Sequence, residues 1–200
     1  MKYLLRTKIT TPLRRMGLGF IFVLINFRIV IGIYSFDILA DFIGYFLIYR
    51  AAVALSSSSS AFRRGSWLAL LLSVISLPKS FMPSTNTAES FQSIPIGTHL
   101  YDQALHLFLI ILVYFVYRGL WDLPLWYYIR SGLLKQSMRK RSIWLIGALM
   151  LEMLLYPFFL NSREDTIVYI MFPLLISAIL FILFIRVLYR MAKAAEYVRG

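Results

Sequence analysis

The sequence predicts an all-α protein, a polytopic membrane bundle of about six transmembrane helices that forms one integral membrane domain over residues 1–200. Apolar residues make up 60% of the chain and the mean hydropathy is +0.75. That is too apolar for a soluble domain of this size, which needs a polar surface. The apolar residues also fall in stretches long enough to cross a hydrocarbon core, which takes about 17–25 residues.

The spans are predicted in order along the chain, the second and third being the shortest. The first follows a basic segment and has no small-residue cleavage site after it, which favours an uncleaved helix over a signal peptide. The third reaches full length only if Lys79 extends outward to the interface, and Pro78 should bend or end it. The predicted spans are about 16–35, 38–55, 65–81, 99–117, 142–160 and 166–187.

The basic residues predict the orientation. Of the 21 Lys and Arg residues, 16 lie before the first span, between the second and third, between the fourth and fifth, or after the sixth, and Arg50 and Arg186 lie near the same ends of the second and sixth spans. Because basic loops stay on the cytoplasmic side, both termini are predicted to be cytoplasmic, in the plasma membrane. The spread of this charge over four segments argues against nucleic acid as a partner. It predicts contact with the anionic headgroups of the lipid bilayer.

The cytoplasmic segment at about 124–137 has two interpretations. Trp126, Ile129, Leu133 and Leu134 share one helical face, and basic residues lie elsewhere. This pattern is typical of a helix lying in the membrane interface. The alternative is an extension of the fourth span that is broken at Pro124.

The segment "INFRIVIGIYSFDILADFIGYF" places three charges in an apolar run. Arg28 is predicted about 18 Å along the first helix, in the outer half of the bilayer. Asp37 is predicted as the cap that begins the second helix, and Asp41 lies one turn into that helix. An unpaired charge in hydrocarbon is costly, so an Arg28–Asp41 ion pair is predicted to hold the hairpin. Contact with a substrate or ion, or an outward-directed Arg28, are the alternatives.

The same region, "GLGFIFVLINFRI" followed by "FDILADFIGYFLIYR", resembles a group of small, uncharacterised multi-pass membrane proteins of Gram-positive bacteria. In that group an apolar helix ending in N/D-F-R/N is followed by an F-D-I-L-P-D-F-I-G-Y-like turn. The resemblance covers about residues 17–50. Ala40 stands where the group usually has proline, which leaves the helix start to Asp37 and Asp41. The resemblance implies a Gram-positive plasma membrane and no particular activity.

Residues His99, Asp102 and His106 follow one another at spacings of three and four, on one face of the fourth span. Two imidazoles and a carboxylate so placed are a candidate set of ligands for zinc or a similar divalent ion. Only three ligands are visible, however, and no second metal motif accompanies them. The simpler interpretation is that these side chains form hydrogen bonds at the outer end of the fourth span.

Glu152 falls near the middle of the fifth span, where an ionised carboxylate is expensive. It is expected to be either protonated or paired, with His106, Arg28 and Asn26 as candidate partners. A buried interhelical hydrogen bond is one interpretation, and a proton- or cation-coupled site is the other.

Several motifs are absent. The sequence has no Walker A loop, no dinucleotide-binding glycine fingerprint and no G-x-S-x-G elbow. It also has no cysteine, which excludes disulfides, thiolate metal sites and a cysteine nucleophile. These absences favour a non-enzymatic protein, and no cofactor is predicted.

The predicted function is therefore that of a multi-pass plasma-membrane protein that acts by binding a membrane-protein partner or lipid. One alternative is a small transporter or channel with an intramembrane polar path through Arg28, Asp41, His106 and Glu152. A second alternative is a metal-dependent membrane enzyme at His99, Asp102 and His106. The sequence does not predict a specific activity.

Overall fold

A computed structural model describes residues 2–25, 28–31, 34–37, 41–81, 95–128, 132–160 and 167–197. Within these ranges the fold is almost entirely helical, with six helices of fifteen or more residues, one short helix, one 3₁₀ turn and a two-stranded hairpin. In chain order the elements are α1 (Lys2–Leu24), β1 (Arg28–Ile31), β2 (Tyr34–Asp37), α2 (Asp41–Leu55), α3 (Ser60–Ile75), the 3₁₀ turn (Pro78–Phe81), α4 (Ile96–Trp121), α5 (Leu125–Tyr128), α6 (Gly132–Leu160) and α7 (Ile167–Tyr197).

The first predicted span does not continue as one helix to its predicted end. α1 begins at Lys2 and ends at Leu24, and the chain then enters an antiparallel hairpin instead of continuing as helix to residue 35. The register pairs Arg28 with Asp37 and Ile31 with Tyr34. The residues of this hairpin are rich in β-branched and aromatic types, which favour strands. An apolar run of this length is ambiguous between helix and strand by periodicity alone.

The other helix bounds lie closer to the sequence predictions. α3 ends at Ile75, before Pro78, and Pro78 begins the separate 3₁₀ turn. The proposed helix at 124–137 is not one element, because α5 covers only Leu125–Tyr128 and Gly132 already belongs to α6. Leu133, Leu134 and the residues after them are good helix formers with no break before the apolar part of α6, so they extend that helix.

The six long helices pack in a closed ring. In order around it, α1 contacts α2, α2 contacts α3, α3 contacts α4, α4 contacts α6, α6 contacts α7, and α7 returns to α1. Neighbours run antiparallel. In the α1–α7 pair, for example, Thr10 contacts Ala192 near one end while Phe20 packs against Phe181 farther along. The ring therefore has two ends. Successive connections between the helices lie alternately at one end and at the other.

The two ends differ in charge. The end that holds the hairpin, the 3₁₀ turn and the start of α4 is called the hairpin end. The opposite end is called the basic end, because it gathers Lys and Arg residues from α1, α3, α4, α6 and α7. Both described chain ends lie there, joined by an ion pair of 2.9 Å between Arg14 and Glu196. The α2–α3 connection lies there too, where Ser59 donates a 2.8 Å hydrogen bond to Asp122.

The apolar core fills the ring between the helices. Phe20 of α1 is fully buried and meets the rings of Phe181 and Phe184 of α7 edge to face, with centroids 5.6 Å apart in each pair. Edge-to-face contacts of this kind add about 0.5–1.5 kcal/mol beyond the burial of area. The outer surface is also apolar, with large exposed side chains such as Trp67, Leu154 and Phe158. Apolar side chains on both the inside and the outside are typical of helices surrounded by lipid.

Within the described ranges, three helices are long and apolar enough to cross a membrane, at Ile96–Trp121, Gly132–Phe158 and Phe172–Glu196. Helices α2 and α3 are shorter than these three. α2 has 15 residues and α3 has 16, which gives about 22–24 Å of helix at 1.5 Å per residue. A typical hydrocarbon core is about 30 Å thick.

The backbones of α1 and α2 approach each other closely at two glycines. A Cβ atom added to Gly19 would lie 2.7 Å from the carbonyl oxygen of Gly44, and one added to Gly44 would lie 2.7 Å from that of Gly19. The sequence has no two glycines four residues apart, so this contact carries no G-x-x-x-G signature. One glycine from each helix achieves the same close packing, on which helix association in lipid depends.

We expect Gly44→Leu to separate α1 from α2 and to lower the stability of the protein by about 1–3 kcal/mol, the usual cost of overpacking. Thermal unfolding in lipid nanodiscs measures this change. Gly147→Ala is the matched control, because nothing lies within 4 Å of a Cβ at that position in α6. The control should be neutral or slightly stabilising, since alanine favours helix over glycine. Equal stability of Gly44→Leu and the control would contradict the close contact.

Candidate polar cavity

A cavity of about 260 Å³ lies inside the ring towards the hairpin end. Most of its wall comes from α2, α4 and α6, and α1 and α7 contribute one apolar side chain each, Val23 and Leu174. Polar and ionisable side chains are concentrated here, in an otherwise apolar bundle. Those that line the cavity include Asp41, Lys79, Asp102, Gln103, His106 and Glu152.

Helical spacing explains why these residues share a wall. On α4, Asp102, Leu105, His106 and Leu109 recur at intervals of three and four, which places them on one face. On α6, Glu152, Met153 and Tyr156 do the same. Because α4 and α6 are antiparallel neighbours, the two faces meet with His106 opposite Leu149 and Glu152.

Lys79 lies between two carboxylates. Its Nζ atom is 3.3 Å from Asp41 Oδ2 and 4.0 Å from Asp102 Oδ1. The Asp41 side chain is only 12% exposed and that of Lys79 is 29% exposed. The ammonium group of Lys79 therefore lies against Asp41, and whether the third span reaches full length stays a prediction. The contact forms because the 3₁₀ turn after α3 places Lys79 beside the start of α2 and the first turns of α4.

Glu152 has two partners. Ser177 Oγ of α7 donates a hydrogen bond to Oε1, and His106 Nε2 of α4 lies 3.7 Å from Oε2. The Glu152 side chain is 11% exposed. The sequence predicts His106 as one candidate partner of Glu152. It does not indicate Ser177. The arrangement joins α4, α6 and α7 through one carboxylate.

The hydrogen bonding of His106 identifies its donating ring atom. Nε2 lies 3.0 Å from the carbonyl oxygen of Leu149, and a carbonyl only accepts hydrogen bonds, so Nε2 carries a hydrogen. The same atom lies 3.7 Å from Glu152 Oε2, so the ring presents one N–H group to both acceptors of α6.

The three candidate metal ligands do not form one site. His99 Nδ1 lies 2.7 Å from the hydroxyl of Tyr156, Asp102 faces Lys79, and His106 faces Leu149 and Glu152. Over the described part of the chain, no three His, Asp or Glu side chains come together in a way that could hold a metal ion. His99, Asp102 and His106 do lie along one face of α4. Each of these side chains, however, contacts a different neighbour.

The remaining predicted residues lie in the hairpin. Arg28 is in β1, outside helix α1, and its side chain lies outside the described residues, so its pairing with Asp41 stays a prediction. The position of Asp37 as the cap of α2 is wrong. Asp37 ends β2 and is paired in register with Arg28, while α2 begins four residues later with Asp41 in its first turn.

Gln103 of α4 was not predicted as a site residue. It lines the cavity, and its Oε1 atom is buried without a hydrogen-bond partner among the described residues. A buried acceptor left unsatisfied costs about 1–3 kcal/mol. Such an atom in a cavity wall is positioned to accept a hydrogen bond from a bound molecule.

Comparison of the chain with known protein families, with curated proteins and with solved structures gives no match. The cavity residues therefore have to be interpreted from their geometry.

We expect the Lys79–Asp41 contact to behave as a coupled pair. Lys79→Met removes the ammonium group from between Asp41 and Asp102, and Asp41→Asn removes the nearer carboxylate partner of that group. Each single change should lower stability by about 1–3 kcal/mol, less than the 3–5 kcal/mol of a fully buried pair. The double variant should recover part of the loss, because no uncompensated Asp41 or Lys79 charge remains. Thermal unfolding in nanodiscs measures the cycle.

The control cycle uses Arg14 and Glu196 at the basic end. The Arg14 side chain is 54% exposed, and an exposed pair contributes about 0.2–1 kcal/mol. A coupling at Lys79–Asp41 no larger than that of the control would show that the cavity pair is unimportant for stability.

Proposed function

We propose that this chain is a multi-pass membrane protein that binds a small polar solute in the cavity and carries it across the bilayer. The observation that carries the proposal is the concentration of six polar or ionisable side chains around one cavity inside an apolar ring. Charged groups inside membrane helices are expensive and are characteristic of substrate pathways and proton relays. Packing alone does not require several such groups in one place.

Six crossings are part of this proposal. Three helices have the length and apolar character of spans. The shorter α2 and α3 lie in the same antiparallel ring and present large apolar side chains such as Trp67 outward. The Lys and Arg residues at the basic end support placing that end, together with both termini, in the cytoplasm. The cavity then lies towards the outer face of a plasma membrane, the location that the resemblance to Gram-positive proteins implies.

The size of the cavity limits the solute. At about 260 Å³ it is below the range of about 300–1,000 Å³ that is typical of pockets for drug-sized ligands. A solute of a few heavy atoms, or an ion with some water, fits this volume. The apolar part of the wall, from Val23, Leu105, Leu109, Met153 and Leu174, separates the polar groups from lipid.

His106 and Glu152 lie side by side in the cavity wall, with Nε2 3.7 Å from Oε2. Intramembrane carboxylate and histidine groups serve as proton relays in transporters. This pair supports coupling of solute movement to a proton as part of the proposal.

A second candidate function is that of an accessory protein that binds a membrane-protein partner or lipid without transporting a solute. The observation in its favour is the basic end, whose Lys and Arg residues suit anionic lipid headgroups. This function does not require the cavity, so changes inside the cavity distinguish the two candidates.

The experiment measures thermal stabilisation by small polar solutes in nanodiscs. A solute that binds the folded protein and not the unfolded chain raises the unfolding temperature, and the increase grows with the logarithm of its concentration once that exceeds Kd. The panel contains guanidinium, urea, acetate, glycine and phosphate at equal ionic strength. We expect at least one of them to stabilise the wild type, and Leu109→Trp, which fills the cavity, to abolish the effect. Leu107→Trp is the control, because Leu107 lies two residues away on α4 and is exposed.

The stabilising solute should also be taken up by liposomes that contain the wild type and the Leu107→Trp variant, but not by those that contain Leu109→Trp. Stabilisation by no solute of the panel, or equal stabilisation of all three proteins, would contradict a solute-binding cavity and would favour the accessory function.

A further inference from the structure

We propose that Arg141, Arg186 and Arg190 form a site for the phosphate group of an anionic lipid, with a preference for a phosphate monoester. The juxtaposition that carries the proposal lies between α6 and α7 at the basic end. There, Nη1 of Arg141 on α6 donates a 3.3 Å hydrogen bond to the carbonyl oxygen of Leu183 on α7, the helix that holds the other two arginines. The site is separate from the cavity, so the inference goes beyond the proposed function and does not depend on it.

The first step is the position of the three side chains. Arg186 and Arg190 follow Leu183 by three and seven residues, which places Leu183 and both arginines on one face of α7. The hydrogen bond to Leu183 brings the guanidinium group of Arg141 to that face from the neighbouring helix. Arg141 is half-buried, whereas Arg186 and Arg190 are exposed. Three guanidinium groups from two helices are therefore gathered at one place on the surface of the ring.

The second step is the charge of this place. The positive charges of Arg186 and Arg190 act on the guanidinium group of Arg141, and like charges held together are unfavourable. Within the described residues, no ion pair joins any of the three to an Asp or Glu side chain. Glu196, the carboxylate that follows them on α7, pairs with Arg14 of α1. A bound anion would offset this repulsion.

The third step is the chemistry of the anion. A guanidinium group presents five N–H donors in a planar fork that matches the oxygens of a phosphate group. Arg141 uses one of its donors on Leu183, and that bond fixes the direction of the others. A phosphate monoester carries a charge of about −1.5 to −2 at neutral pH and three strong acceptor oxygens. A phosphate diester has less charge and fewer free oxygens, so three arginines suit the monoester better.

The fourth step is the source of the phosphate. Trp144 lies one turn beyond Arg141 on α6, and Ile182 lies one turn before Arg186 on α7. Both are exposed, so the three arginines lie where the surface of the ring changes from charged to apolar. A lipid can place its phosphate on the arginines and its acyl chains along these apolar side chains, as in other basic pockets between membrane helices. A free phosphate ion gains nothing from the apolar surface, which favours a lipid.

The test titrates short-chain lipids into the full chain in detergent micelles and counts the bound molecules by native mass spectrometry. The probes are dioctanoyl phosphatidic acid as the monoester, dioctanoyl phosphatidylglycerol as the diester, dioctanoyl phosphatidylcholine as the lipid without net charge, and inorganic phosphate as the ion without acyl chains. Phosphatidic acid should have the lowest Kd, followed by phosphatidylglycerol. Phosphatidylcholine and inorganic phosphate should both bind more weakly.

Arg141→Gln, Arg186→Gln and Arg190→Gln should each raise the Kd of phosphatidic acid about tenfold, since a hydrogen bond between charged groups is lost. Arg118→Gln is the matched control and should leave this Kd nearly unchanged. It removes the same charge from an exposed position at the basic end, on α4, which is not a neighbour of α7 in the ring. Because Arg186 and Arg190 are exposed, their variants keep the test valid if Arg141→Gln is unstable.

Binding of phosphatidylglycerol as tightly as phosphatidic acid would overturn the preference for a monoester. Binding of inorganic phosphate as tightly as phosphatidic acid would overturn a lipid as the source of the phosphate. An equal rise in Kd for Arg118→Gln and the three site variants would show diffuse attraction by the basic end and would overturn the site. Binding of none of the probes would overturn the whole inference. The proposed function would be unaffected, because its test changes only Leu107 and Leu109 of α4.

Discussion

The cost of a charge in hydrocarbon determines the arrangement of this protein. Each ionised side chain at the centre of a bilayer costs about 2.5–3.5 kcal/mol on insertion scales. A chain with few acidic residues and an apolar outer surface can reduce that cost only by turning the charges inward and placing them beside one another. Asp41, Lys79, Asp102, His106 and Glu152 follow this rule, since each faces the interior and contacts an opposite charge or a hydrogen-bonding group.

The ring makes such pairing feasible. α1 and α2 approach closely through Gly19 and Gly44, and α1 also packs against α7, so that the first and last helices close the ring. Closure brings α2, α4 and α6 around one space at the hairpin end. A cavity remains in this space. The close contact between Gly19 and Gly44 and the cavity between α2, α4 and α6 thus both belong to the same closed ring.

The sequence was sufficient for the parts that depend on composition and local pattern. The apolar stretches that became α4, α6 and α7 were recognisable by length, and Glu152 was recognisable as an isolated carboxylate within one of them. The positions of the Lys and Arg residues predicted cytoplasmic termini, which stays a prediction, and in the described residues α1 and the end of α7 meet through Arg14 and Glu196.

The parts that depend on tertiary contacts could not be obtained in this way. Ser177 is an ordinary hydroxyl in an apolar helix until α7 packs on α6, and Lys79 resembles an interfacial lysine until the 3₁₀ turn places it beside Asp41. The hairpin at Arg28–Asp37 was missed because β-branched residues in an apolar run fit either a strand or a span. The three residues His99, Asp102 and His106 share a face, but the neighbouring helices give each a separate partner.

The most direct measurement is the water accessibility of two adjacent positions on α6. Because the chain contains no cysteine, single cysteines can be introduced without any background. Met153 lines the cavity, whereas Leu154 faces outward and is 68% exposed. A small, membrane-impermeant thiol reagent added to the outer face of right-side-out vesicles should modify Met153→Cys and leave Leu154→Cys unmodified, because a thiolate forms in water and not in lipid. Modification of Leu154→Cys with protection of Met153→Cys would contradict a water-accessible cavity enclosed by a lipid-facing ring.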